Sequence, residues 1–131
     1  MKHNMQGKFL FEYAVIRIVP RVEREEFLNV GVILYCKDKK FLQCIFTLDE
    51  ARLRAFCPNT DLAEVRAYLC AFELICQGSK EGGPIAQLDV SLRFRWLTAT
   101  RSTILQTSKV HSGLSDNPEE TLKKLHTQLV L

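Results

Sequence analysis

The sequence predicts an α+β fold, a mainly antiparallel sheet of at least four strands packed by three to four helices. Three observations carry that expectation. β-Branched and aromatic residues dominate Phe9 to Val19, Leu28 to Cys36 and Phe41 to Leu48. The polar stretch Lys37-Asp38-Lys39-Lys40 joins the last two of these runs as a tight turn, which makes a β-hairpin. Apolar residues then recur at helical spacing, first through Leu62, Val65, Leu69, Phe72 and Cys76 and later through Leu122, Leu125 and Leu129.

The first strand, Phe9 to Val19, is apolar on both faces except at Arg17, as expected of a central strand, and Pro20 ends its ladder by lacking an N–H. In the second strand Leu28, Val30, Val32 and Leu34 are expected to share a face. The opposite face begins with Asn29 and Gly31, and the missing side chain at Gly31 invites a close backbone approach. Thr47 and Glu50 have capping-box spacing for a short helix that Pro58 terminates. Asp61 with Glu64 caps a longer helix that stops at Gly78, and QGSKEGGP, Gln77 to Pro84, reads as a flexible linker between two helices. Asp89 to Leu97 is predicted helical, with a strand as the alternative, Thr103 to Val110 is a fourth strand, and Asn117 with Pro118 opens a final helix to Leu129.

With 131 residues, 47% of them hydrophobic, the chain suits a single α+β domain over residues 1–131, with Met1 to Lys8 as a mobile end. No window approaches the ~20 apolar residues of a membrane span. Glu12 and Arg17 interrupt the first apolar run, and no small-residue cleavage site follows, which argues against a secretory signal. The five cysteines, Cys36, Cys44, Cys57, Cys70 and Cys76, form no C-x-x-C pair and sit among apolar residues. A reducing, cytoplasmic setting with buried free thiols is therefore expected, with no metal site; Cys36 and Cys44 are the two placed to face each other across the hairpin. The net charge of +3 is concentrated between Gly83 and Gly113, where Arg93, Arg95, Arg101 and Lys109 stand against Asp89 alone.

Two constellations are candidates for function. Around the first strand-to-strand turn, Arg17, Arg21 and Arg24 offer planar guanidinium groups that hold phosphate or carboxylate bidentately. Local pairing with Glu12, Glu23, Glu25 and Glu26 is the competing use of these arginines. For Arg17, set within an apolar strand, the competing use is an ion pair with Glu26 or Glu23. The second constellation, Arg93 to Gly113, interleaves Arg93, Arg95 and Arg101 with Phe94 and Trp96 and then offers Ser102 and His111. That interleaving suits phosphate contact with stacking on a base, and makes nucleic-acid binding an alternative. Phe94 and Trp96 diverge by about 200° on a helix, so one is expected inside and the other outside. His111 reads as a loop histidine, and with Glu23 or Glu26 it would supply acid–base chemistry for a phosphoryl-transfer or hydrolytic enzyme. Arg17 or Arg21 is expected to converge with Arg101 or His111. No nucleophile elbow, Walker loop, dinucleotide fingerprint or paired-histidine motif occurs, and no cofactor is expected.

The segments YAVIRIVPRVEREEFLNVGVILYC and RFRWLTATRSTILQTSKVHSGL resemble a bacterial family known as domain of unknown function 3037, over nearly the whole chain. The resemblance rests on Arg17, Pro20, Arg21, Glu23, Glu26, Asn29, Gly31, Arg93, Trp96, Arg101, Ser102 and His111, while Thr100 and Lys109 stand where prolines are expected. It implies a small α+β domain and no particular reaction. It also implies a protein-binding accessory role beside toxin-type serine/threonine kinases of the bacterial persistence class. The expected function is thus a non-catalytic binding module, with Arg17, Arg21, Arg24, Asn29, Arg93, Arg95, Arg101, Ser102 and His111 as its binding candidates. A protein partner or a phosphate-bearing ligand is expected to engage that face.

Overall fold

In the computed structural model residues 7–131 are described, so the expected mobile end lies, but for its last two residues, outside the described residues. Five strands and four helices follow in the order β1 (Phe9–Ile18), β2 (Leu28–Cys36), β3 (Phe41–Phe46), α1 (Glu50–Phe56), α2 (Leu62–Gln77), α3 (Val90–Leu97), β4 (Leu105–Thr107), β5 (His111–Ser115) and α4 (Pro118–Leu129). All strand pairs are antiparallel, in the order β3-β2-β1-β4, and β5 also pairs with β1. This is an α+β fold.

β1 is central, as its two apolar faces imply. Ala14, Ile16 and Ile18 join a core with Ile33, Leu53, Val65, Leu69, Phe72, Phe94 and Leu97, which brings α1, α2 and α3 onto one face of the sheet. Phe11, with Val32, Leu34 and Cys36, packs on Leu122 and Val130, which brings α4 onto the other.

β4 and β5 share the second edge of β1 end to end: Ile16–Ile18 pair with Leu105–Thr107, and Phe9–Tyr13 with His111–Ser115. The strand expected over Thr103 to Val110 is therefore confined to Leu105–Thr107, and a further strand that was not expected begins at His111, which does not lie in a loop. At the break the Ser108 hydroxyl accepts the Val15 N–H (2.8 Å) and the Ser108 N–H donates to the Val15 carbonyl (2.8 Å). A side chain thus stands in where the ladder leaves β1, keeping its buried backbone satisfied. The sequence HSGLS carries little strand propensity of its own, and its pairing comes from the free edge of β1.

The expected common face of Leu28, Val30, Val32 and Leu34 is corrected by a β-bulge. Ile16 pairs with Gly31 and Arg17 with Asn29, which leaves Val30 as an extra residue and reverses the alternation of side chains. Leu28 and Val30 accordingly pack in the α1–α3 core and Val32 and Leu34 in the α4 core. The cap of α1 is also corrected, from Thr47 to Asp49, whose carboxylate accepts the Arg52 N–H at 3.1 Å. Thr47 is still held as an extension of β3, its N–H on the Val30 carbonyl at 2.7 Å, so the chain is not free to turn into a helix there.

Asp61, Asp89 and Asn117 cap α2, α3 and α4 by accepting the N–H three residues on. Gly78 closes α2 at φ 70°. The expected flexible linker is folded into short 3-10 turns over Lys80–Gly82 and Ile85–Gln87, and a Cβ at Gly82 would lie 2.6 Å from that of Ala86. All five cysteines are free, but only Cys36 and Cys76 are buried, and Cys70 is exposed. Cys36 stands opposite Phe41 and Cys44 opposite Ile33, so the two do not face each other. Cys44 instead lies beside Cys76 of α2; that neighbouring thiol, followed by burial, pushes the Cys44 thiol above its ordinary value.

The close approach anticipated at Gly31 is made by β3, since a Cβ there would lie 2.6 Å from both the Ile45 carbonyl oxygen and the Phe46 Cβ. Gly31→Ala should therefore lower stability by about 1–3 kcal/mol through overpacking. Urea unfolding measures this, and an unchanged midpoint would mean that the two strands separate at no cost.

Candidate functional site

The charged turn between β1 and β2 mostly pairs with itself. Arg21 reaches Glu23 at 3.3 Å and Arg24 reaches Glu26 at 2.7 Å, both exposed. Hydrogen bonds from its own backbone N–H and from Arg21 hold the Glu23 carboxyl below its ordinary range, and Arg24 does the same for Glu26. Both carboxylates are thereby kept ionised, and neither serves as the expected counter-ion of Arg17. Arg21, Arg24 and Glu26 line a cavity of about 700 Å³, beside Asp61 and Glu64, where acids offset the arginines.

Arg17 is different. It sits on β1 between Asn29 of β2 and Gln106 of β4, with its guanidinium carbon 3.8 Å from the centroid of the Phe27 ring. Its Nε is buried without a hydrogen-bond partner, and among the described residues Arg17 enters no ion pair. Desolvation by burial depresses its pKa, the direction that marks a cation with too little compensation.

Arg17 lines a cleft of about 440 Å³ together with Val22, Phe27, Arg101, Ser102 and Gln106. Glu23 and Glu25 line it as well, but neither pairs with Arg17 or Arg101. Arg101 is positioned by the end of α3. Its guanidinium donates to the carbonyls of Leu97 (3.2 Å), Ala99 (3.4 Å) and Trp96, and lies 4.2 Å from the centroid of the Trp96 ring. These bonds leave its Nε–H and one terminal N–H without an acceptor among the described residues. Burial lowers its pKa too, and it has no carboxylate partner among the described residues. Two cations without counter-ions therefore share one concave surface with a serine hydroxyl, an arrangement suited to an oxyanion.

The remaining candidates are dispersed. Arg95 forms a bidentate pair with Glu12 at 2.7 and 3.0 Å, and Arg93 donates to the Leu88 carbonyl at 2.8 Å. Asn29 donates to the Leu129 carbonyl at 3.1 Å and so ties β2 to the end of α4. His111 packs on Tyr13 with ring centroids 5.3 Å apart, opposite Tyr13 in the β1–β5 ladder, whereas Arg17 lies on the β4 half of β1. Glu26 and Glu23 line the two cavities on the Arg21 and Arg17 sides, and His111 lines neither. Of the expected convergences, Arg17 with Arg101 is present and Arg21 or His111 with this cleft is not.

Phe94 is fully buried and Trp96 is 41% exposed, as their angular divergence on α3 requires. Sequence reasoning passed over Phe27, an exposed aromatic in a charged turn, and Tyr68, an exposed aromatic beside the apolar stripe of α2. Large apolar side chains at solvent-facing positions were the signal for both. Among the described residues no cluster of His, Cys, Asp and Glu is arranged to hold a metal ion, and no helix is long and apolar enough to cross a membrane.

A family model described as protein of unknown function (DUF3037) matches residues 13–130. The chain belongs to the DUF3037 family. No curated protein and no solved structure matches it. In this DUF3037 chain the residues that carried the resemblance divide by role. Asn29, Gly31 and Arg93 meet backbone or neighbouring strand, whereas Arg17, Trp96, Arg101 and Ser102 gather at the cleft and its rim.

A partly desolvated arginine without a counter-ion does not need to be there for folding. Arg17→Met keeps the length of the side chain and its packing on Phe27 while removing the charge. Its stability should equal the wild type or exceed it by up to about 1 kcal/mol. Thermal and urea unfolding of the two proteins measure this, and a clear loss of stability would make Arg17 a structural residue.

Proposed function

We propose that this DUF3037 protein is a cytoplasmic, non-catalytic binding module whose Arg17–Arg101 cleft receives an anionic group, phosphate before all others. The observation that carries this reading is Arg17, a strand arginine with a buried, unsatisfied Nε and no carboxylate partner among the described residues. Such a group is costly unless a ligand completes it. Arg101 and Ser102 supply further donors at the same surface. The free thiols of all five cysteines fit a reducing compartment. The accessory role beside a toxin-type serine/threonine kinase belongs to the same proposal, with the partner presenting the anionic group.

The test compares melting temperatures in inorganic phosphate and in chloride at equal ionic strength. Saturable binding should raise the wild-type melting temperature by about 3 °C or more. Arg17→Gln should show only the general salt effect of phosphate, and Arg24→Gln, whose arginine is paired with Glu26 outside this cleft, should respond like the wild type. No phosphate-specific rise, or an equal rise in Arg17→Gln, would sink the reading.

A further inference from the structure

Beyond the rim of the cleft, a cavity of about 280 Å³ lies between α2, α3 and β4, with Tyr68, Phe72, Trp96, Leu97 and Leu105 among its walls. Its lining is mostly hydrocarbon and aromatic ring, with Arg101, Gln106 and two threonines as the polar exceptions. Trp96 and Tyr68 are 41% and 39% exposed although each borders the core. A helix that needed only to cover the sheet would bury such rings or replace them with polar residues.

Two residues, Arg101 and Gln106, line both this cavity and the Arg17 cleft. Arg101 lies over the Trp96 ring, which puts a cation without a counter-ion directly beside the apolar wall. The cleft and the cavity thus offer charge and apolar surface side by side.

We propose that the two form one bipartite site for a planar aromatic ring joined to a phosphate, of the size of a nucleoside monophosphate. The ring lies against Trp96 and Tyr68, and the phosphate lies against Arg101 and Arg17. This proposal rests on the anion-binding reading above and assigns its ligand class. A ring suits the walls better than an alkyl chain, because aromatic side chains stack on any base and Arg101 strengthens the stack from the other partner of the indole. The volume is near the lower end of small-molecule sites, enough for one ring system and too small for a long acyl chain. Gln106 and the threonines supply the few polar groups that fix orientation in such a pocket.

Trp96 is the sole tryptophan of the chain, so its emission reports on this cavity alone. Adenosine monophosphate should quench it saturably, and adenosine should need at least about tenfold higher concentration, since it lacks the charge-assisted contacts. Tyr68→Ala should weaken adenosine monophosphate about tenfold by calorimetry and leave inorganic phosphate binding unchanged. Arg17→Gln should bring adenosine monophosphate down to the affinity of adenosine. If inorganic phosphate binds by calorimetry and adenosine monophosphate binds no tighter, with tryptophan emission unmoved, the ring site is overturned while the anion cleft stands. If neither compound binds, both fall. Quenching by octanoate equal to that by adenosine monophosphate would also overturn the proposal, because the cavity would then take hydrocarbon without regard to the ring.

Discussion

The backbone of β1 is hydrogen-bonded along both of its edges, to β2 on one side and to β4 and β5 in succession on the other. A strand paired in this way must be covered on both faces or lose the benefit of its apolar side chains. That requirement sends α1, α2 and α3 to one side and α4 to the other. It also explains why Ser108 is buried: its hydroxyl takes up the Val15 N–H at the point where β4 ends and β5 has not begun.

The same strand accounts for the unusual position of Arg17. The bulge at Val30 falls beside it, between the Ile16–Gly31 and Arg17–Asn29 pairs, where Gly31 leaves no room for a side chain against β3. Bulges bend a strand and re-aim its side chains, and they recur next to binding sites. Asn29, on the neighbouring strand, is drawn toward the carbonyl end of α4, while Phe27 stacks on the guanidinium. Arg17 is thereby held in place by aromatic contact and by packing, with no ion pair among the described residues to satisfy its charge. A rigid, incompletely satisfied group on a regular element is preorganised for a ligand in a way that a loop arginine is not.

The end of α3 supplies the complementary half. Arg101 bonds three carbonyls of the last turn and the residues after it, which fixes a long side chain over Trp96. Part of that guanidinium thus serves the helix C-terminus, where a cation is favoured by the dipole. Arg95, one turn earlier, is fully engaged by Glu12, so the basic segment does not behave as a uniform positive stripe. Of its four cations Arg95 alone meets a carboxylate among the described residues, and Arg101 is the one that reaches the Arg17 cleft.

What the sequence determined by itself was local. The caps at Asp61, Asp89 and Asn117, the stop at Gly78, the hairpin of β2 and β3, and the inside–outside split of Phe94 and Trp96 all depend on residues within a turn or two of each other. Composition and spacing are sufficient for such features, because the interactions that fix them act over a few residues. The cap of α1 escaped this reading because Thr47 is bound to Val30 of β2, far away in the chain. Strand β5 escaped it because HSGLS pairs only where β1 offers a free edge, and the faces of β2 because a bulge has no signature in the alternation it breaks. The candidate site was half legible. Arg17 stood out as a charge in an apolar strand, but its lack of a counter-ion among the described residues, the partnership with Arg101 and the separation from His111 were decided by which half of β1 pairs with β4 and which with β5. That is a matter of long-range register, which only the folded sheet specifies.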